Sequence, residues 1–167
     1  AVSSLSANSL TLVADNNIIV NAATSLGGSL TLTAGGRVTF NAAVATTASD
    51  IIVTAAGFAG TGAVTIANGG TLNVTQSGNS HYAGIIGGSG ALSKAGAGAL
   101  SLTGANTFTG GTTVTAGTIG VYHNTALGTG VLTIGGSTLR LGRGLAQVGN
   151  DIAFSGATTV VFDTAVD

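Results

Sequence analysis

Ser9-Leu10-Thr11-Leu12 returns as Ser29-Leu30-Thr31-Leu32, and the same offset relates Asn21-Ala22-Ala23 to Asn41-Ala42-Ala43 and Ala14 to Ala34. Between these anchors Ile18 and Val20 correspond to Val38 and Phe40, so apolar character repeats while flanking residues change. A period of about 20 residues is the mark of a solenoid, in which each repeat buries its apolar face only by stacking on its neighbours. Later in the chain identity fades but rhythm persists. Apolar pairs straddle a small or polar residue at Val64/Ile66, Leu72/Val74, Leu100/Leu102, Ile119/Val121, Leu132/Ile134, Leu139/Leu141, Ile152/Phe154 and Val160/Phe162. That alternation is the signature of strands with one buried face. Between them lie Gly and Asn clusters such as Gly27-Gly28, Gly35-Gly36, Asn68-Gly69-Gly70 and Gly110-Gly111, which supply turns.

Short strands and turns would also suit a sandwich or barrel. The period argues instead for an all-β, right-handed parallel β-helix (β-solenoid) of about eight coils of about 20 residues, each with three short strands and three turns. Leu10 then stacks on Leu30, Leu12 on Leu32, and Asn21 on Asn41 as an amide ladder. At ~4.8 Å per coil the rod is roughly 40 Å long. Asn68-Gly69 is the one dipeptide of the hairpin type.

Composition fits this reading. Charged residues make up 5% of the chain, and Pro, Cys, Met and Trp are absent. Pro would remove ladder hydrogen bonds from strands paired on both sides, and stacked like charges would repel at strand spacing. Mean hydropathy is +0.58, yet Thr, Ser, Asn or Gly interrupts every apolar stretch before it could span a bilayer as a helix. A net charge of -1 offers no footprint for nucleic acid. Without Cys there are no disulfides or thiolate metal sites. The beginning, Ala1-Val2-Ser3, has no signal-peptide pattern, so the chain is expected to be a segment of a longer polypeptide.

Chemistry-bearing residues are sparse. Asp151 and Asp163, which the period could set on neighbouring coils, form with Arg140 and Arg143 one coil back the one charged cluster of the chain. Paired carboxylates of this kind would be needed for a glycan-cleaving enzyme, but isolated surface charges are read here as solvated turn residues near an end. His81 and His123 are separated by close to two coil periods, and so could share one face. Two histidines without a third ligand make a poor zinc site, and His81-Tyr82 and Tyr122-His123 read instead as exposed aromatic patches able to contact a partner. Lys94 follows Ser93 and not the glycine of a phosphate-binding loop, and no Gly-x-Ser-x-Gly elbow occurs. Asn73-Val74-Thr75 fits a glycosylation acceptor by chance. Thr31/Thr33, Thr107/Thr109 and Thr113/Thr115 are not separated by whole numbers of periods and so are not expected to line up. No catalytic residue, cofactor or metal site is predicted, and the chain is not expected to be an enzyme.

The most specific stretch runs from Gly84-Ile85-Ile86-Gly87-Gly88-Ser89-Gly90-Ala91-Leu92-Ser93-Lys94-Ala95-Gly96-Ala97-Gly98 through Ala99-Leu100-Ser101-Leu102-Thr103-Gly104-Ala105-Asn106-Thr107-Phe108-Thr109-Gly110-Gly111-Thr112-Thr113-Val114 and on to Leu141. It resembles the autotransporter-associated β-strand repeat (passenger-associated transport repeat) of Gram-negative type V secretion passengers, with Phe108 where Tyr is commoner and Ile119 where Leu is. The first part, with its Leu-Thr-Leu and Asn-Ala-Ala, resembles the repeats of filamentous-haemagglutinin-type exoproteins. Accordingly 1–167 is read as a single β-solenoid segment: haemagglutinin-like coils over 1–83, the autotransporter-associated repeat over 84–141, further coils over 142–167. The resemblance implies a structural or adhesive stalk on the surface of a Gram-negative bacterium. Its implied partners are an outer-membrane translocator during export and the surface of a host or neighbouring cell. The open end coils add end-to-end self-association.

Overall fold

In the computed structural model, which describes residues 8–163, the chain winds into a parallel β-solenoid. The first sheet stacks eight strands: Leu10–Ala14, Leu30–Ala34, Ile51–Ala55, Thr71–Gln76, Ala91–Ala95, Thr112–Val114, Leu132–Ile134 and Ile152–Phe154. A second stacks Ile18–Val20, Arg37–Phe40, Gly57–Gly60, Ser80–Tyr82, Ala99–Leu102, Thr118–Val121, Ser137–Leu141 and Thr158–Phe162. The third holds four, Thr24–Leu26, Val44–Thr46, Val64–Ile66 and Ile86–Gly87. Leu10 pairs with Leu30 and Leu12 with Leu32. Ile18 pairs with Val38 and Val20 with Phe40. The amide ladder forms as expected, Asn41 Nδ2 donating to Asn21 Oδ1 at 2.8 Å.

The coils are not all of one length. Leu30 pairs with Ile51, a step one residue longer than that from Leu10 to Leu30. Gly60 pairs with Tyr82, a step longer still, whereas the step from Leu100 to Ile119 is shorter than the first. Corners absorb these differences, and strand alternation stays in phase. At the corner after Val64–Ile66, Asn68 (φ 51) and Gly69 (φ 81) make the turn. It joins successive sides of a coil, not a hairpin.

Three strands per coil hold only for the first four coils. After Gly87 the third side runs without strand pairing, and Asn106 repairs the gap. Its buried amide accepts from Ile86 N at 2.8 Å and donates to the Ala126 carbonyl at 2.6 Å, so one side chain joins three coils. The backbone polar groups of an unpaired buried segment must find such partners.

Inward side chains of the central coils form one continuous core. Branched aliphatics dominate, as the alternation predicts, but at the second sheet the stack turns aromatic. Phe40 and Phe58 meet edge to face at 5.3 Å, and Phe58 stacks on Tyr82 at 4.5 Å. The expectation of inward apolar side chains at Ile152/Phe154 and Val160/Phe162 is met in direction but not in burial. Phe154 and Phe162 are 62% and 66% exposed because no coil lies over them in the described stack.

Candidate functional site

The interior holds polar groups that the apolar periodicity does not announce. Lys94 occupies an inward column whose neighbours are Val74 and Val114, and it is fully buried. Its ammonium donates to the carbonyls of Ala95 (2.8 Å), Gly96 (2.9 Å) and Ala116 (3.2 Å). Burial disfavours the charge and pulls the Lys94 pKa down to about 8. Gln76, two positions past inward Val74, donates Nε2 to the Ala99 carbonyl, while its buried Oε1 lacks a hydrogen-bond partner. The period-two rule does place both side chains inward. The signal was present in the spacing and hidden by the residue types.

Tyr82 corrects the expectation of an exposed His81-Tyr82 patch. It is fully buried, its hydroxyl donates to the Gly62 carbonyl at 2.7 Å, and burial pushes its phenol well above the usual range. Strand parity explains the split, since Tyr82 points inward opposite Leu102 and His81 points out opposite Ser101. His81 Nε2 meets Thr103 Oγ1 at 3.0 Å, whereas His123 lies in a corner turn with Nδ1 3.1 Å from Thr125 Oγ1. Two coils above His81 stands Gly120, not His123, so the histidines do not share a column. Among the described residues no three His, Cys, Asp or Glu side chains gather as metal ligands.

The predicted Asp/Arg cluster is likewise divided. Asp151 precedes the last strand of the first sheet, where its carbonyl accepts from Leu132 N. Asp163 follows the last strand of the second sheet in that same coil, and not a neighbouring one. The two carboxylates therefore belong to different sheets, and the paired arrangement of a glycan-cleaving site is not assembled. Asp163 instead joins Arg140, Nη1 to Oδ1 at 3.7 Å, and accepts from the Tyr122 hydroxyl at 2.9 Å.

Tyr122 is thereby fixed on the outer face of the second sheet. It follows the sixth strand, Gly142 the seventh and Asp163 the eighth, and the hydrogen bonds Tyr122 N to Leu102 O, Gly142 N to Val121 O and Asp163 N to Leu141 O set them in one column. The ring lies along the rod over Gly142, where a Cβ would collide with it, and its Cε2 is 2.9 Å from where a Cβ on Gly120 would stand. Two glycines thus form a bed for one half-buried ring. Asn79, Ser101, Thr118 and Arg140, with Ser80 and Ala99, line a groove that reaches the same Gly120.

Threonines align more than a uniform period predicts. Two slightly longer coils place Thr33, Thr54 and Thr75 in one outward column of the first sheet. Thr31 and Thr113 share the adjacent column through Ile52, Asn73 and Ser93. Ile52, Asn73 and Ser93 interrupt that column, so it is not a regular threonine face.

With this geometry in place, comparison with known families identifies one stretch. The passenger-associated-transport-repeat family model matches residues 92–121, inside the 84–141 span that carries the resemblance. The match runs from the strand bearing Lys94 through the Asn106 bridge to Val121. No curated protein and no solved structure matches the chain.

Proposed function

We propose that this chain is a stalk segment of an autotransporter-type passenger, a stiff spacer that carries adhesive surfaces away from the cell. The observation that carries the reading is the unbroken pairing of eight coils in two full-length sheets, in a chain whose central stretch, 92–121, matches a passenger repeat. Inner strands pair on both sides along the stack, so bending the rod requires breaking many ladder hydrogen bonds together. The repeat family supports export through an outer-membrane translocator and display at the surface of a Gram-negative bacterium. The test is to delete this segment from the passenger in its native cell and to measure display, reach and adhesion. Reduced reach with display intact supports the spacer. Unchanged reach and adhesion defeat it.

A second reading, end-to-end pairing of copies, applies where the first or last described coil stays uncovered in the full polypeptide, which would leave Leu12 exposed on one side or Phe154 and Phe162 on the other. Exposed ladders and apolar ends invite such pairing. Electron microscopy of the isolated segment separates the readings, because filaments favour the second and single rods remove it.

A further inference from the structure

Most exposed side chains on this rod are small, and Tyr122 is an exception with an unusual support. Its ring is laid along the outer face of the second sheet, above Gly120 and Gly142, and its hydroxyl is tied to Asp163 one coil beyond Gly142. The underside meets the two glycines, and the residue keeps part of its surface open to solvent. A tyrosine held in this way has already lost its rotamer freedom, which lowers the cost of receiving a ligand on it. It presents a flat apolar surface with a polar tip.

Beside the ring the chemistry alternates. The Asp163 carboxylate uses one oxygen for the tyrosine and the other for Arg140, and each oxygen retains a further acceptor position. Arg140 offers several donors and its side chain is 47% exposed. Asn79, Ser101 and Thr118 add an amide and two hydroxyls along the adjoining groove.

We propose that this face binds a neutral pyranose glycan, with one sugar ring stacked on Tyr122 and its hydroxyls bridging Asp163, Arg140 and the groove. A pyranose has an apolar C–H face of about the size of a tyrosine ring and an equatorial rim of hydroxyls, each both donor and acceptor. Tyr122 matches the face, and the carboxylate, guanidinium and hydroxyl groups match the rim. The charges at the site are one of each sign and paired with each other, so the site holds no net attraction for a polyuronate or a nucleotide and suits a neutral sugar. This inference is independent of the export reading and survives its failure.

The test uses the whole chain and three neutral probes, cellopentaose, laminaripentaose and mannopentaose, with oligogalacturonate as the anionic comparison. Calorimetry and saturation-transfer NMR follow binding. Tyr122 fluorescence reports the site independently, because the only other tyrosine, Tyr82, is buried and cannot contact the sugar. The expected result is saturable binding of at least one neutral pentaose with a millimolar or tighter Kd, accompanied by a change in tyrosine emission. Tyr122→Phe keeps the ring and should weaken binding only a few-fold, whereas Tyr122→Ala should weaken it at least tenfold. Should Tyr122→Ala fail to fold, Ser101→Arg decides, since it fills the groove from the outer face without touching the core and should also cost at least tenfold. Binding of none of the neutral sugars, tighter binding of oligogalacturonate, or undiminished affinity in folded Tyr122→Ala or Ser101→Arg would each overturn the proposal.

Discussion

Lys94 stands in an inward column otherwise formed by Leu12, Leu32, Val53, Val74, Val114, Ile134 and Phe154. Three carbonyls favour its charged form and burial opposes it; burial wins, leaving the pKa at about 8. Because the folded-state value lies below that of the unfolded chain, the unfolded state binds more protons between about pH 8 and 10.5. Stability should therefore rise with pH across that window, and below it the burial penalty is present in full. Thermal midpoints of the wild type and Lys94→Met from neutral pH to above the window check this: the difference between the two curves should move through the window in favour of the wild type and stay flat below it. Glycines give a second residue-scale prediction. Gly60 has φ +137 and a Cβ there would strike the Phe40 carbonyl, whereas Gly69 has φ +81 with open space around it. Gly69→Ala should cost about 1 kcal/mol from backbone conformation alone. Gly60→Ala adds a backbone clash and should cost about 3 kcal/mol or more in urea denaturation.

Among the elements, the third side differs most from what the sequence announced. Its strands are two or three residues long, and of these alternation marked only Val64/Ile66, so where the third side stops pairing could not be read and three uniform strands per coil was the natural reading. The longer strands of the first sheet, by contrast, were visible at Leu10–Ala14 and Leu30–Ala34, because identity and alternation coincide there. The outward placement of Tyr122 was expected from the Tyr122-His123 pair, but the bed beneath its ring was not legible, since it depends on Gly120 two strand positions away and on Gly142 a coil later. Tyr82 was legible through its partner Leu102, one coil on, but the neighbouring His81 drew attention to the surface. Where the third sheet stops, Asn106 takes its place. Asn106→Ala should remove both bridging bonds, leaving Ile86 N–H and Ala126 C=O buried without that partner. That loss amounts to about 2–4 kcal/mol. Hydrogen exchange gives the sharper check: protection of the Ile86 amide should fall further than that of Leu100 or Leu102 in the same rod.

For the whole molecule, strand pairing runs only between successive coils, which makes stability a sum of coil and neighbour terms. Excising 112–131, one complete step between Thr112 and Leu132, should leave a folded rod about 4.8 Å shorter. Its denaturant m-value should be smaller by roughly one-eighth. Removing half that length from the same place should unfold the later coils, because each later strand would arrive at the wrong side of the coil and miss its sheet. Small-angle scattering and equilibrium denaturation of the two deletions distinguish these outcomes. The corners that take up unequal coil lengths have a consequence for how such a rod changes over time. Sequences of this architecture can gain or lose a residue at a bend and keep their outline, so variants of the rod should diverge in the length of their bends sooner than in silhouette. Antibodies against those bends would then tell variants apart when images of the particles could not.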